Sequence, residues 1–158
     1  MRAASVKEIR DELMTLKPAE LAAICQRLAR FKKENKELLT YLLFEAHDEA
    51  SYINEVKAEV EELFREINLS HLYFVKKSLR KILRVINKHV RYMASKQAEV
   101  ELLLHICQLV TDAGIPIKKN KVLANIYYAQ LKKLSAAITG LHEDLQYEYQ
   151  RQFEKLAG

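Results

Sequence analysis

Turn-forming residues are scarce in this chain. Its 158 residues include only three Gly and two Pro, too few for the tight hairpins of a β protein. Trp is absent, and the two Cys have no CxxC spacing, which excludes a disulfide framework and a cysteine-based zinc site. There is no Gly-rich phosphate loop and no GxSxG nucleophile turn. No apolar run approaches the roughly 20 residues of a membrane span. Lys7, Glu8, Arg10, Asp11 and Glu12 interrupt the N-terminus where a signal-peptide core would lie. These absences lead us to expect a cytoplasmic protein with no membrane partner and no small-molecule cofactor. Cys25 and Cys107 both lie in apolar helical faces and are expected as buried, reduced thiols.

What is present favours helix. Leu, Lys, Glu, Ala and Ile dominate, all compatible with long helices. A chain of this length suffices for one domain, residues 1–158, burying roughly 68–70% of its unfolded surface. The net charge of +5 is unevenly placed. Residues 1–47 carry +2, residues 48–69 carry −5 and residues 70–98 carry +8. Residues 99–117 then carry −3 and residues 118–158 carry +3. An acidic segment next to a strongly basic one in sequence can neutralise it if the two lie side by side.

Apolar spacing and capping signals divide the chain into eight helices. Ser5 with Glu8 forms a capping box before Val6, Ile9, Leu13 and Leu16. Pro18 opens a second helix with Leu21, Ile24, Cys25, Leu28 and Phe31 inward. Asn35 is a candidate cap for the third, which carries Leu38, Leu39 and Tyr41 to Phe44, and Asp48 for the fourth, which is rich in Glu. The fifth, capped by Ser70, holds Leu72, Val75, Leu79, Ile82, Ile86 and Met93 on one face. Phe74, Val85 and Tyr92 give it a second apolar edge, so it is expected at the centre of the domain with neighbours on two sides. Ser95 starts a sixth helix that is apolar nearly all round. Gly114 followed by Ile115-Pro116 is a strong stop. Asn120 caps the seventh helix, and Gly140 separates it from the eighth.

Paired as 1–33, 34–69, 70–113 and 118–158, these helices make four hairpins of about 35–45 residues, a length typical of helical repeats. The expected architecture is all-α, a compact armadillo- or HEAT-like array, with an irregular orthogonal bundle as alternative. The runs FKKENKELLTYLLFE (31–45), FVKKSLRKILRVINKHVRY (74–92), KQAEVELLL (96–104) and LHEDLQYEYQR (141–151) resemble a family of short, all-helical bacterial proteins of unknown function. The resemblance covers most of the chain, implies the same all-helical fold and location, and brings no chemistry with it.

No arrangement of residues in the sequence points to an enzyme. His142-Glu143 begins like a zinc-protease motif, but position 146 is Gln where a second His is needed. A di-iron bundle requires two Glu-x-x-His pairs; Glu101 and His105 are four apart and alone. Cys107 lies among leucines, which disfavours a thiolate paired with His105 or His89. Glu61-Glu62 and Glu143-Asp144 are surface acids. Tyr127, Tyr128, Tyr147 and Tyr149 fit packing at helical spacing better than stacking on bases. The candidate binding face is Lys77, Arg80, Lys81, Arg84, Lys88 and Arg91 on the fifth helix. It spans about 20 Å, enough to meet several phosphates of a nucleic-acid backbone. The alternative is a solvated face partly paired with the acids of the fourth helix. The sequence thus suggests a non-enzymatic protein-interaction module, with nucleic-acid binding through the basic face as the other reading.

Overall fold

The computed structural model describes residues 1–158. It is all-α, with eight α-helices and no strand. The chain divides into two compact units, Met1–Phe44 and Glu45–Gly158.

The first unit holds α1 (Val6–Leu13), α2 (Pro18–Phe31) and α3 (Lys33–Thr40). Ser5 and Glu8 cap α1 reciprocally, as their spacing predicts. Asn35 does not cap α3, which starts two residues earlier. Its Nδ2 instead donates to the Leu28 carbonyl at 2.8 Å, satisfying an open acceptor near the end of α2. Between α2 and α3 the chain turns on one extended residue, Lys32, and the two helices pack together. A π-helical turn follows at Tyr41–Glu45. Tyr41 is the one buried residue of the unit. The inward faces expected for α1 and α2 are therefore open: Val6, Ile9, Ile24, Leu28 and Phe31 are exposed, and so is Cys25, expected to be buried. Forty-four residues supply too little chain to cover two amphipathic helices.

The second unit is built in two layers from α4 (Glu49–Arg65), α5 (Leu72–Met93), α6 (Lys96–Asp112), α7 (Lys121–Thr139) and α8 (Glu143–Ala157). Helices α4, α6 and α8 pack side by side in one layer, and α5 and α7 in the other. Connections cross between layers: α4 packs on α5, α6 on α7 and α7 on α8. The strongest pairs are thus α4–α5 and α6–α7, one helix out of step with the pairing expected from the spacing. The centre is α6, not α5. Val100, Leu103, Ile106 and Cys107 of α6 are sealed, and its neighbours come from all four other helices. Helix α5 runs unbroken for 22 residues, with Val75, Leu79, Ile82 and Ile86 buried as expected. Its second edge is covered only toward the C-terminal end: Tyr92 is buried and Phe74 exposed.

Caps set the boundaries. Asp48, Ser95 and Asn120 each accept from backbone N–H groups of the helix they precede. Ser70 does not cap α5; it bonds Asn68, and His71 takes the N-cap position without a side-chain bond. Gly114 ends α6 at φ +64°. Ile115 N–H then reaches the Val110 carbonyl and Gly114 N–H the Thr111 carbonyl, the Schellman pattern. A Cβ at Gly114 would meet no atom within 4 Å, so only backbone strain opposes a side chain. Gly114→Ala is expected to destabilise the second unit by about 1 kcal/mol, and Gly114→Asn by less, because Asn tolerates left-handed backbone better. Urea midpoints for the two variants check this; equal losses would point to a packing defect instead.

Candidate functional site

Layering separates the charges. Helix α5 carries seven Lys or Arg and α7 three, and neither carries any Asp or Glu. The other layer, α4 with α6 and α8, carries twelve acidic against five basic residues. The sequence alternates in charge by segment, and the alternation of layers turns this into one basic and one acidic layer.

The basic face predicted on α5 is largely solvent-facing. Lys77, Arg80, Lys81, Arg84 and Arg91 are exposed and Lys88 is half-buried. None of those five exposed cations has a carboxylate oxygen within 4.0 Å. The acids of α4 are directed elsewhere. Glu61 and Glu62 pair with Arg65 on their own helix. Glu59 lies 3.1 Å from His89, whose other ring nitrogen meets the Tyr52 hydroxyl at 2.8 Å. For those five exposed cations, pairing with the acids of the fourth helix is not seen.

Arg80 and Arg84 stand one turn apart on the rim of a groove between α5 and α7, about 590 Å³ in volume. Asn87 lines it from α5, and Asn125 and Gln130 from α7. The same two arginines border a second cleft of about 320 Å³ with Tyr73, Lys76 and Lys77. The two clefts thus share the arginine pair as lining. At the N-terminal end of α5, Tyr73 and Phe74 are exposed and meet edge to face, ring centroids 5.4 Å apart. Sequence reasoning placed Phe74 in a core edge and passed over Tyr73, Asn125 and Gln130. The adjacency of Tyr73 to Lys76 and Lys77 was a legible signal; the amides of α7 were not, since nothing in the sequence places them opposite α5.

The other layer holds a cleft of about 580 Å³ lined by Lys57, Glu101, His105, Tyr149 and Lys155 among others. Lys57 Nζ donates to Glu101 at 2.9 Å, and the Tyr149 hydroxyl donates to the same carboxylate at 3.1 Å. Burial alone would raise the Glu101 pKa, but the bonds from Lys57, Gln97 and Tyr149 outweigh it and hold the carboxyl below its ordinary value. The Tyr149 hydroxyl is pushed up to about 12, first by burial and then by the Glu101 charge. His105 Nε2 lies 3.1 Å from Glu61 but outside hydrogen-bonding geometry, and is sealed without a partner. No group of three or more His, Cys, Asp or Glu is placed to hold a metal ion. Cys107 is buried as expected, and burial pushes its thiol up to about 12, far from a nucleophilic thiolate. Of the tyrosines, Tyr127 and Tyr149 are buried, whereas Tyr128 and Tyr147 are exposed.

No helix is long and apolar enough to cross a membrane. Compared with protein-family models, with curated proteins and with solved structures, the chain matches none.

His105 gives a pH signature. Burial lowers its pKa, the nearby Lys57 ammonium adds to this, and Glu61 opposes it. The folded state therefore binds the His105 proton less readily than the unfolded chain does. The stability contribution is fully present above the ordinary histidine value of about 6.5 and falls as pH drops below it. In wild type, the urea midpoint is expected to decline more steeply between about pH 7.5 and pH 5.5 than in His105→Asn. Parallel declines would mean that His105 is not the titrating group.

Proposed function

We propose that this protein is a non-enzymatic interaction module that binds the phosphate backbone of nucleic acid through its α5–α7 layer. The observation that carries this reading is the absence of any acidic residue from that layer, with five exposed cations of α5 left without carboxylate partners. Uncompensated cations in a row release counterions from a polyanion when it binds, which is the main source of non-specific affinity for nucleic acid. Lys77 to Arg91 extend over about 20 Å of helix, so several phosphates of one strand lie within reach. Such contacts position the chain and carry no base sequence.

The groove between α5 and α7 sets amides of Asn87, Asn125 and Gln130 beside Arg80 and Arg84, groups that either form of nucleic acid can meet. One feature favours a single strand over a duplex. Tyr73 and Phe74 offer exposed ring faces next to Lys76 and Lys77, and unpaired bases stack on such rings. The two-layer stacking of α4 to α8 also fits a helical-repeat scaffold that presents one face to a partner. The resemblance to short bacterial helical proteins adds no activity to this proposal, and a cytoplasmic location remains part of it. The exposed apolar residues of the first unit, Phe31 and Leu43 among them, fit the protein-docking reading.

Fluorescence anisotropy with a labelled single-stranded oligonucleotide, repeated over a salt series, tests the proposal. Affinity should fall steeply with salt. Removing both arginines in Arg80→Ala/Arg84→Ala should flatten the log–log salt slope by about 1.4 for a single strand, at roughly 0.7 per contact. Tyr73→Ala should weaken binding by about 1–3 kcal/mol with the slope unchanged. Binding unaltered by Arg80→Glu/Arg84→Glu would sink the proposal. So would binding to phosphatidylserine vesicles with none to the oligonucleotide.

A further inference from the structure

The groove between α5 and α7 has an apolar lining that a phosphate backbone leaves unused. Leu83 and Ile126 line it half-buried, and Val122 and Ala129 line it exposed, Val122 by 41%. A smaller pocket of about 10 Å³ shares Leu83, Ile126 and Gln130 with the groove and is also lined by Ile106 and Val110 of α6. It has room for about one water, but its largely apolar walls give a water few partners, so an apolar group suits it better. Charge around the groove has one sign. Arg80 and Arg84 line it. The seven cations of α5, the three of α7 and the two lysines of the turn Ile117–Lys119 share those elements with no Asp or Glu. Glu99 of α6, which reaches Lys133, is buried and paired with Lys96 as well.

We propose that the α5–α7 groove docks an amphipathic helix of another protein, acidic along one edge of its apolar stripe, and that this helix and nucleic acid displace each other. The displacement rests on the reading above; the docking does not. Charge complementarity selects the occupant. Arg80 and Arg84 stand about 6 Å apart along α5, the spacing of residues i and i+4 on any helix, so an edge of Asp or Glu can meet both. The opposite edge meets Asn125 and Gln130 of α7 and needs no charge. The stripe between the edges covers Leu83, Val122 and Ile126, with one side chain entering the small pocket. Apolar positions at i, i+4 and i+7 span about 10 Å, the length of α5 from Arg80 to Asn87 that lines the groove. Docking of a helix in a groove takes its affinity from such anchors and its register from the charges. The acidic edge imitates the phosphates of a strand, so the two compete for Arg80 and Arg84.

Fluorescence anisotropy on the full chain tests this with a labelled peptide of roughly 15 residues, long enough to hold a helix. The peptide carries Leu at i, i+4, i+7 and i+11 and Glu along one edge of that stripe, in a background of Ala and Gln. It should bind, and its counterparts with Lys for each Glu or Ser for each Leu should not. Arg80→Ala/Arg84→Ala should weaken it by up to about 30-fold. Val122→Ser should weaken it about threefold or more and leave oligonucleotide affinity unchanged, which separates docking from plain attraction between charges. Unlabelled peptide should release the labelled oligonucleotide. A Glu peptide that fails to bind, or that binds as well with Ser for each Leu, overturns the docking. Sedimentation of the free chain as a dimer that Val122→Ser returns to monomer overturns it in favour of a second copy. Peptide binding without oligonucleotide binding upholds the docking and sinks the nucleic-acid reading instead. Both ligands bound at once overturns the displacement.

Discussion

Helix α6 keeps only one narrow polar stripe, Gln97, Glu101, His105, Gln108 and Asp112, and the second unit is arranged around that fact. An apolar stripe on one side of a helix is satisfied by one neighbour. A helix apolar nearly all round must be enclosed, because each large side chain left in water forgoes about 1.5–3 kcal/mol. Four helices surround α6, two flanking it in its own layer and two forming the layer beneath. Its one buried charge, Glu99, is answered by Lys96 at 3.2 Å and by Lys133 of α7 at 3.4 Å. Lys133 in turn donates to Asn87 of α5 at 2.8 Å. A single carboxylate therefore ties α6 to both members of the basic layer. It also occupies one of the three α7 cations, leaving the exposed charge concentrated on α5.

Enclosure of α6 explains the segregation of charge. With successive helices crossing from one layer to the other, every second helix falls in the same layer. An acidic, basic, acidic alternation along the chain then becomes an acidic layer and a basic layer. Contacts between the layers include the Lys133–Glu99 ion pair and the approach of Glu59 to the His89 ring. Like charges gathered on one face repel, and this lowers stability. The chain tolerates that cost with a core sealed along α6. Surface charge is thus set by topology acting on the sequence, and neither alone would have produced it.

Much of this was legible before any coordinates. The all-helical class, the boundaries capped by Asp48, Ser95 and Asn120, and the stop at Gly114 follow from local chemistry that tertiary contacts did not override. The buried stripe of α5 was legible for the same reason. Failures cluster where the answer depends on partners. Periodicity shows that α1 and α2 have apolar faces but not that anything covers them, so Cys25 and Leu28 were assigned to a core that is not there. Asn35 is a fit N-cap by type, yet its side chain serves the preceding helix, because one extended residue turns the chain back within reach of Leu28. The basic strip was found as a strip. Its groove was not, since Asn125 and Gln130 come from a helix some forty residues further along.

The two layers also differ in what their charged groups have left to offer. In the cleft of the acidic layer, Lys57 and Glu101 already satisfy each other, with Tyr149 and Gln97 completing the carboxylate's bonds. A ligand entering there would have to replace those bonds before gaining any, and breaking one partner from a half-buried pair leaves the other uncompensated. Such a network holds α4, α6 and α8 in register more readily than it binds. On α5 the five exposed cations have no carboxylate within reach, so a polyanion that meets them has no existing bond to break and releases its own condensed counterions. Free energy for binding is available where charge is unpaired. By that measure Arg80 and Arg84, which line both clefts of the basic layer, outrank any group in the polar cleft of the opposite layer.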